Sequence, residues 1–291
     1  MPAPVFVRPV TTDSPSRALA AALGERRRWP LVMGIVNITP DSFHDGGRFA
    51  ATGDAVAQAH RLIDEGADLL DLGGESTRPG AQPVPVQVEL ERVLPVLDAL
   101  RGVRVALSVD TRRPEVMRAA LAAGAAMIND VGALRAPGAI EAVVGTDASV
   151  CLMHMQGEPR TMQQAPGYND VVAEVTAFLR QRIDACVAAG IRRDRIVIDP
   201  GFGFGKRFED NLALARALPL LASLAPVLVG LSRKSVIGAM TGRSSSDDRL
   251  PGSVAAALWA ARHGAAVLRV HDVAATRDAL AVWRQLEGDG E

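Results

Sequence analysis

The sequence predicts an α/β protein of the (β/α)8 TIM-barrel class. Three observations carry this prediction. Short, wholly apolar runs rich in β-branched residues recur along the chain, the pattern of strands buried on both faces of a parallel sheet. Each run leads through a polar, glycine-containing loop into an amphipathic helix, and eight such cycles over about 250 residues match a barrel in size. Nearly every run closes on a polar or charged residue, as expected where functional groups gather at the carboxyl ends of barrel strands. A doubly wound open sheet is the alternative, but its ligands collect at one switch point, which leaves most of those polar ends unexplained.

Residues 1–30 read as an N-terminal appendage, with a short strand at 5–10 and a helix at 16–28, and residues 31–291 as one catalytic domain. The first strand, 31–37, ends at Asn37 and enters a polar loop, 39–47, that contains Phe43. Asp54 is expected to cap the next helix and Gly66 to end it. The second strand, 69–74, carries Asp71 and is followed by Glu75-Ser76-Thr77-Arg78-Pro79-Gly80, then a helix at 86–100. The third, 103–109, ends at Asp110, with Pro114 in the first turn of its helix. The fourth, 126–128, closes on Asn129-Asp130. The fifth, 149–155, places Cys151, Met153 and Met155 on one face by its period of two, and a long helix at 169–190 follows. The sixth, 195–198, ends at Asp199. Pro200 stops it, and Gly201, Gly203 and Gly205 alternate with Phe202 and Phe204 before Lys206. The seventh, 227–231, closes on Ser232-Arg233-Lys234-Ser235; a loop at 241–248 and a helix at 252–263 follow. The eighth, 267–272, carries Arg269 and His271, and a last helix runs to about residue 286.

With 291 residues and 48% hydrophobic content the chain can bury one large core. A formal net charge of −1 gives no bulk attraction to nucleic acid or to an anionic membrane, and neither partner is expected. No apolar run approaches the roughly 20 residues of a membrane span, and the start lacks the pattern of a signal peptide. Cys151 and Cys186 have no metal-ligand spacing and suit a reducing compartment, so a cytoplasmic protein is expected. Of 32 basic residues only Lys206 and Lys234 are lysine. Both lie in loops after apolar strands, which marks them as candidates for work that needs a compact ammonium.

Collected on one rim, the strand ends supply Asn37, Thr77, Arg78, Asp110, Asn129, Asp199, Lys234, Arg269 and His271. Carboxylates and an amide suit a flat heterocycle with a 2-aminopyrimidinone edge, because a carboxylate accepts two parallel bonds from a ring N–H and an exocyclic amine. Lys234 can donate to a ring carbonyl or nitrogen; Arg269 can lie over a ring or clamp an anion, and Arg78 and His271 add donors for a polyanion. Asn37 offers a hard oxygen of the kind Mg²⁺ takes when phosphate and water complete its shell. Phe43, Phe202 and Phe204 can wall an aromatic substrate. Gly201-x-Gly203-x-Gly205 lacks the dinucleotide spacing, and neither His154 nor His271 has a partner at metal spacing.

The segments Gly34–Phe43, Gly73–Gly80, Ser108–Thr111, Ile128–Asp130, Met153–Gly157, Asp199–Lys206, Ser232–Lys234 and Arg269–Asp272, in that order, resemble bacterial dihydropteroate synthases. The resemblance runs from about residue 31 to 280; His44 and Arg207 are its slight departures. It implies a homodimeric barrel that joins 6-hydroxymethyl-7,8-dihydropterin diphosphate to p-aminobenzoate and releases pyrophosphate. It implies that the pterin lies on Asp110, Asn129, Met153, Asp199, Phe204, Lys234 and Arg269, with Asp110, Lys234 and Arg269 catalytic. The diphosphate would meet Thr77, Arg78, Arg269 and His271, and p-aminobenzoate Phe43, Thr77, Arg78, Pro79 and Ser232, with Mg²⁺ on Asn37. Two other readings compete: a pterin-binding methyltransferase that passes a methyl group to a corrinoid, and a non-catalytic barrel paralogue. The first has no use for the diphosphate-binding groups, and the second none for so complete a set of motifs.

Overall fold

The apolar runs pair side by side, each parallel to the next, and the last returns to the first. The computed structural model describes residues 14–24, 29–38, 48–77 and 80–288. Strands β1 (Leu31–Asn37), β2 (Leu69–Gly73), β3 (Ala106–Asp110), β4 (Met127–Asp130), β5 (Ser149–Met153), β6 (Ile196–Asp199), β7 (Val227–Val229) and β8 (Ala265–Val270) form a closed barrel. Closure comes from β8 against β1, in the register Leu31↔Val267 to Gly34↔Val270, so no strand edge is left unpaired. Helices α1 (Pro15–Gly24), α2 (Arg48–Asp64), α3 (Val86–Ala99), α4 (Pro114–Ala122), α5 (Ala139–Val143), α6 (Val171–Ala188), α7 (Phe208–Arg216), α8 (Leu218–Ala222), α9 (Ser235–Thr241), α10 (Leu250–Arg262) and α11 (Val273–Glu287) complete the described chain.

The period of two sorts the strand residues into two cores. Outward residues such as Val36, Leu70, Leu72, Ile128, Val150, Ile198 and Leu268 pack with the helices. Inward residues Leu31, Met33, Leu69, Met127, Cys151, Val197, Leu228 and Val267 fill the barrel. Leu19, Ala22 and Leu23 of α1 are buried in that inner cluster, so the helix expected within the N-terminal appendage stops the amino-terminal end of the barrel. Cys151 is therefore barrel filling, and burial pushes its thiol well above the ordinary value.

Several boundaries differ from those read in the sequence. Asp54 lies inside α2, which starts at Arg48, and caps nothing. Asp170 does cap α6, accepting from the N–H groups of Val172 and Ala173 at 3.0 Å. β3 starts at Ala106, β5 stops at Met153 and β7 is only three residues long, because barrel closure ends the ladders where the chain turns outward. The stretch after Lys234 forms the helix α9, which a glycine and a threonine hid from periodicity. The strand expected at 5–10 lies outside the described residues.

Leu23 is 3% exposed beneath the barrel floor. Leu23→Ala should lower unfolding free energy by about 2–5 kcal/mol, the cost of a large-to-small change in a core. Urea titration checks this, and an unchanged midpoint would show that α1 does not contribute to barrel stability.

Candidate active site

One turn of the pleat above the apolar floor, the inward positions become polar. In this layer lie Asp71 of β2, Ser108 and Asp110 of β3, Asn129 of β4, Asp199 of β6 and Arg269 of β8. Asp110 pairs in register with both Gly73 and Asn129, and Asn37 also lies opposite Gly73. A Cβ at residue 73 would stand 3.9 Å from both Asn37 Oδ1 and Asp110 Cβ, so the three residues are neighbours across the rim.

Arg269 organises the layer. Its Nε donates to Asp71 Oδ2 at 2.6 Å and its Nη2 to Asp110 Oδ2 at 3.1 Å. Asn129 Nδ2 donates to the same Asp71 oxygen at 2.9 Å. A carboxylate can only accept, so this bond fixes the Asn129 amide and leaves its carbonyl oxygen for a ligand donor. Asp71 Oδ1, Asp110 Oδ1 and Ser108 Oγ are buried without a hydrogen-bond partner among the described residues. Asp71 is fully buried and was not among the sequence-predicted site residues. The signal for it was present, since a carboxylate inside an apolar strand must be partnered.

Burial pushes the Asp110 carboxyl up to about 8; Arg269 opposes this, while Asp71, Glu89 and Asp130 reinforce it. Burial also raises Asp199, against the pull of Lys234, the Gly201 N–H, Lys206 and Arg269. Burial lowers Lys234 to about 8, with Asp199 opposing. For Arg269 burial acts against the charge, but Asp71 and Asp110 outweigh it and hold the group above its ordinary value.

The β6 loop supplies the wall beside this layer. Asp199 Oδ1 accepts the Gly201 N–H at 2.6 Å, and Lys234 Nζ donates to the Phe202 carbonyl at 2.7 Å while lying 4.6 Å from the centre of the Phe204 ring. Phe204 packs on a cluster of Met153, Met155, Met162 and Val131. Phe202 is buried in the outer core, 1% exposed, and is not a wall of the site. Across the mouth, Ser232 Oγ meets both the His271 N–H at 3.2 Å and His271 Nδ1 at 3.1 Å.

The structure thus gathers Asp110, Asn129, Met153, Asp199, Phe204, Lys234 and Arg269, and sets Ser232 against His271 at the same end of the barrel. Thr77 lies to one side, beyond Glu75, which Arg112 and Arg113 hold at 3.5 and 3.2 Å. Phe43, Arg78 and Pro79 lie outside the described residues. Lys206 does not face the layer: it is 3% exposed and bonded to His154 Nδ1 and to backbone carbonyls.

Asn37 offers one neutral hard oxygen, and among the described residues no group of three or more His, Cys, Asp or Glu is placed to hold a metal. That donor set fits Mg²⁺ only where phosphate and water supply most of the shell.

A barrel with buried acceptors, a fixed amide and two half-buried cations at its carboxyl end is built to bind a small, flat, polar molecule bearing an anion. Residues 33–271 match the model of the family described as pterin binding enzyme. The dihydropteroate synthase of Neisseria meningitidis serogroup B is 52% identical over 264 residues, covering 88% of this chain and 93% of its own. Among solved structures, Xanthomonas albilineans dihydropteroate synthase with 4-aminobenzoic acid has a TM-score of 0.85 at 57% identity, covering 90% of this chain and 94% of that one. Burkholderia cenocepacia dihydropteroate synthase complexed with 7,8-dihydropteroate has a TM-score of 0.82 at 53% identity, covering 89% and 91%. The chain belongs to the pterin-binding enzymes, and within them to the dihydropteroate synthases.

The raised Asp110 carboxyl has a consequence for stability. Between the ordinary value of 3.8 and about 8 the unfolded chain releases this proton while the folded chain keeps it. The Asp110 contribution is therefore fully present below pH 3.8 and is lost as pH rises through 8. Asp110→Asn should stabilise the ligand-free protein relative to wild type by an amount that grows across that window. Urea unfolding at pH 5 and pH 8 checks this; a difference that shrinks with pH would contradict the assignment.

Proposed function

We infer that the chain condenses 6-hydroxymethyl-7,8-dihydropterin diphosphate with p-aminobenzoate to give 7,8-dihydropteroate and pyrophosphate. The observation that carries this reading is the layer of Asp110, Asn129, Asp199, Lys234 and Arg269 in a chain so similar to dihydropteroate synthases. The pterin would lie against Asp110, Asp199 and the Asn129 carbonyl, with Lys234 donating to the ring. Met153 and Phe204 would flank it. Arg269 and His271, with Thr77 and Arg78, would hold the diphosphate, and Phe43, Thr77, Arg78, Pro79 and Ser232 the p-aminobenzoate. Asn37 would hold Mg²⁺, which when bound neutralises charge on the diphosphate. Apolar side chains exposed on four successive helices, Phe208, Leu220, Met240 and Trp259, support a homodimer. The two free cysteines, both buried, support a cytoplasmic location.

The reaction displaces diphosphate from an exocyclic carbon. Among the described residues no Cys or Tyr is placed to form a covalent intermediate. Tyr168 hydroxyl donates to the Gly205 carbonyl, and both thiols are buried. The site instead handles charge. The C–O bond breaks with its electron pair leaving on pyrophosphate, beside Arg269 and His271. The positive charge left on the dihydropterin lies among Asp110, Asp199 and Asp71. The amine nitrogen of p-aminobenzoate then forms the C–N bond and passes a proton to the departing pyrophosphate or to water. Fixed charges of this kind are worth several kcal/mol to a transition state.

Pyrophosphate release on mixing both substrates tests the activity, and its absence would favour the methyltransferase or non-catalytic reading. Asp199→Asn exchanges an acceptor for a donor facing the ring N–H, so calorimetry should show pterin affinity reduced more than about tenfold, as for the loss of a bond to a charged group. Unchanged affinity would remove Asp199 from the site. For the dissociative route, single-turnover rates should depend only weakly on the basicity of substituted anilines, and a steep dependence would refute it.

A further inference from the structure

Lys206 is a buried cation that the pterin reading does not use. Its ammonium is buried against the β6 loop, with Asp199 and Lys234 near enough to act on its charge. Nζ donates to the Gly201 carbonyl at 2.9 Å, to the Phe204 carbonyl at 3.0 Å and to the His154 carbonyl at 3.2 Å, and it meets His154 Nδ1 at 3.0 Å. Burial lowers the lysine to about 7, with Asp199 opposing, and burial with the neighbouring Lys206 lowers His154 to about 3. In the tautomer protonated at Nε2 the neutral imidazole presents a lone pair at Nδ1, so the three N–H donors of Lys206 face four acceptors, two of them from His154.

The loop is held closely from the same side. Gly201 and Gly205 have φ of +70° and +60°, and a Cβ on either would run into the carbonyl oxygen of His154 or Gln156. The remaining carbonyls are also occupied. Gly203 accepts from Gln163 Nε2 at 2.6 Å, Gly205 from the Tyr168 hydroxyl at 2.7 Å, and Phe202 from Lys234 Nζ at 2.7 Å. Carbonyls 201 and 204 therefore turn to Lys206, and carbonyl 202 turns to Lys234. The two lysines of the chain hold one loop by different carbonyls. The same loop sets the Gly201 N–H on Asp199 and the Phe204 ring beside Lys234. A planar guanidinium cannot fill a closed cage of converging carbonyls, which accounts for lysine here in a chain that otherwise uses arginine.

We propose that Lys206 is a positioning residue for pterin binding: by fixing carbonyls 201 and 204 it aims carbonyl 202 and the Phe204 ring at Lys234 and holds the Gly201 N–H on Asp199. This rests on the reading of Lys234 as a pterin ligand, and the test separates the two. A double-mutant cycle with Lys206→Met and Lys234→Met is read by calorimetry with 6-hydroxymethyl-7,8-dihydropterin. Lys206→Met should weaken binding by roughly tenfold, as for a lost bond to a charged group. It should leave KM for p-aminobenzoate unchanged. The double variant should bind within about twofold of Lys234→Met alone, because residues acting through one another are not additive. Lys206→Arg keeps the charge but not the cage and should lose as much as Lys206→Met. Wild-type affinity in Lys206→Met or Lys206→Arg, or losses that multiply in the double variant, would overturn the proposal. Normal pterin binding by Lys234→Met alone would overturn the site reading and this proposal with it. If Lys206→Met does not fold, His154→Phe removes one of the four acceptors and carries the same cycle, with an expected loss of roughly threefold.

Discussion

The guanidinium of Arg269 reaches from β8 to carboxylates on β2 and β3, and the polar layer of the barrel depends on that reach. The period of two points every second strand residue inward, so Asp71, Asp110 and Asp199 lie largely out of water inside the barrel. Charges taken from water need opposite charges and hydrogen bonds in return. A planar fork with donors on several sides can serve two carboxylates on different strands at once, which an ammonium held on one stem does less well. Arg269 and Lys234 are still two cations among three carboxylates, and burial, with Asp71 beside it, pushes the Asp110 carboxyl up against the pull of Arg269. A ligand that brings N–H donors or positive charge relieves the same imbalance.

The layer beneath makes these interactions stronger. Met33, Leu69, Met127, Cys151, Val197, Leu228 and Val267 form an apolar floor, closed from below by Leu19, Ala22 and Leu23. Excluding water from that side lowers the local dielectric, and every charge above it interacts more strongly for that reason. The stopper helix at the far end of the barrel therefore contributes to the electrostatics of the mouth as well as to the core.

Much of this was legible in the sequence. Asp110, Asn129 and Asp199 each end an apolar run, and the structure places all three at the mouth. Asp71 is harder to see in the sequence because it lies one pleat below a strand end, inside the apolar run Leu-Leu-Asp-Leu. Lys206 stands out in the sequence as one of two lysines in an arginine-rich chain, in a loop after an apolar strand. Sequence adjacency does not show that glycines with positive φ curl the loop so that the ammonium meets carbonyls 201 and 204 and His154. Phe202 and Phe204 looked alike in the motif, yet the first is core and the second faces Lys234. Helix α9 is only seven residues long and is interrupted by Gly238, too short for periodicity to announce it.

The mouth is also polarised across its width. Its carboxylates come from β2, β3 and β6, while Ser232, Lys234, Arg269 and His271 come from β7, β8 and the loops that follow them. A strap keeps the second group in register: Arg233 donates to Asp272 through Nε at 2.9 Å and Nη2 at 2.6 Å, joining the loop after β7 to the end of β8. Arg233 adopts φ of 58°, a left-handed conformation costly for a residue with a side chain, on the order of 1–3 kcal/mol. The bidentate bond to Asp272, and the bonds that tie its backbone to Ser253 and Arg249, offset that strain. Held so, Ser232 and Lys234 project from either side of the strained residue, one toward His271 and the other toward the β6 loop. A substrate that separates into a cation and an anion would do so along this polarity, with the positive fragment beside the carboxylates and the anion beside the donors of β7 and β8.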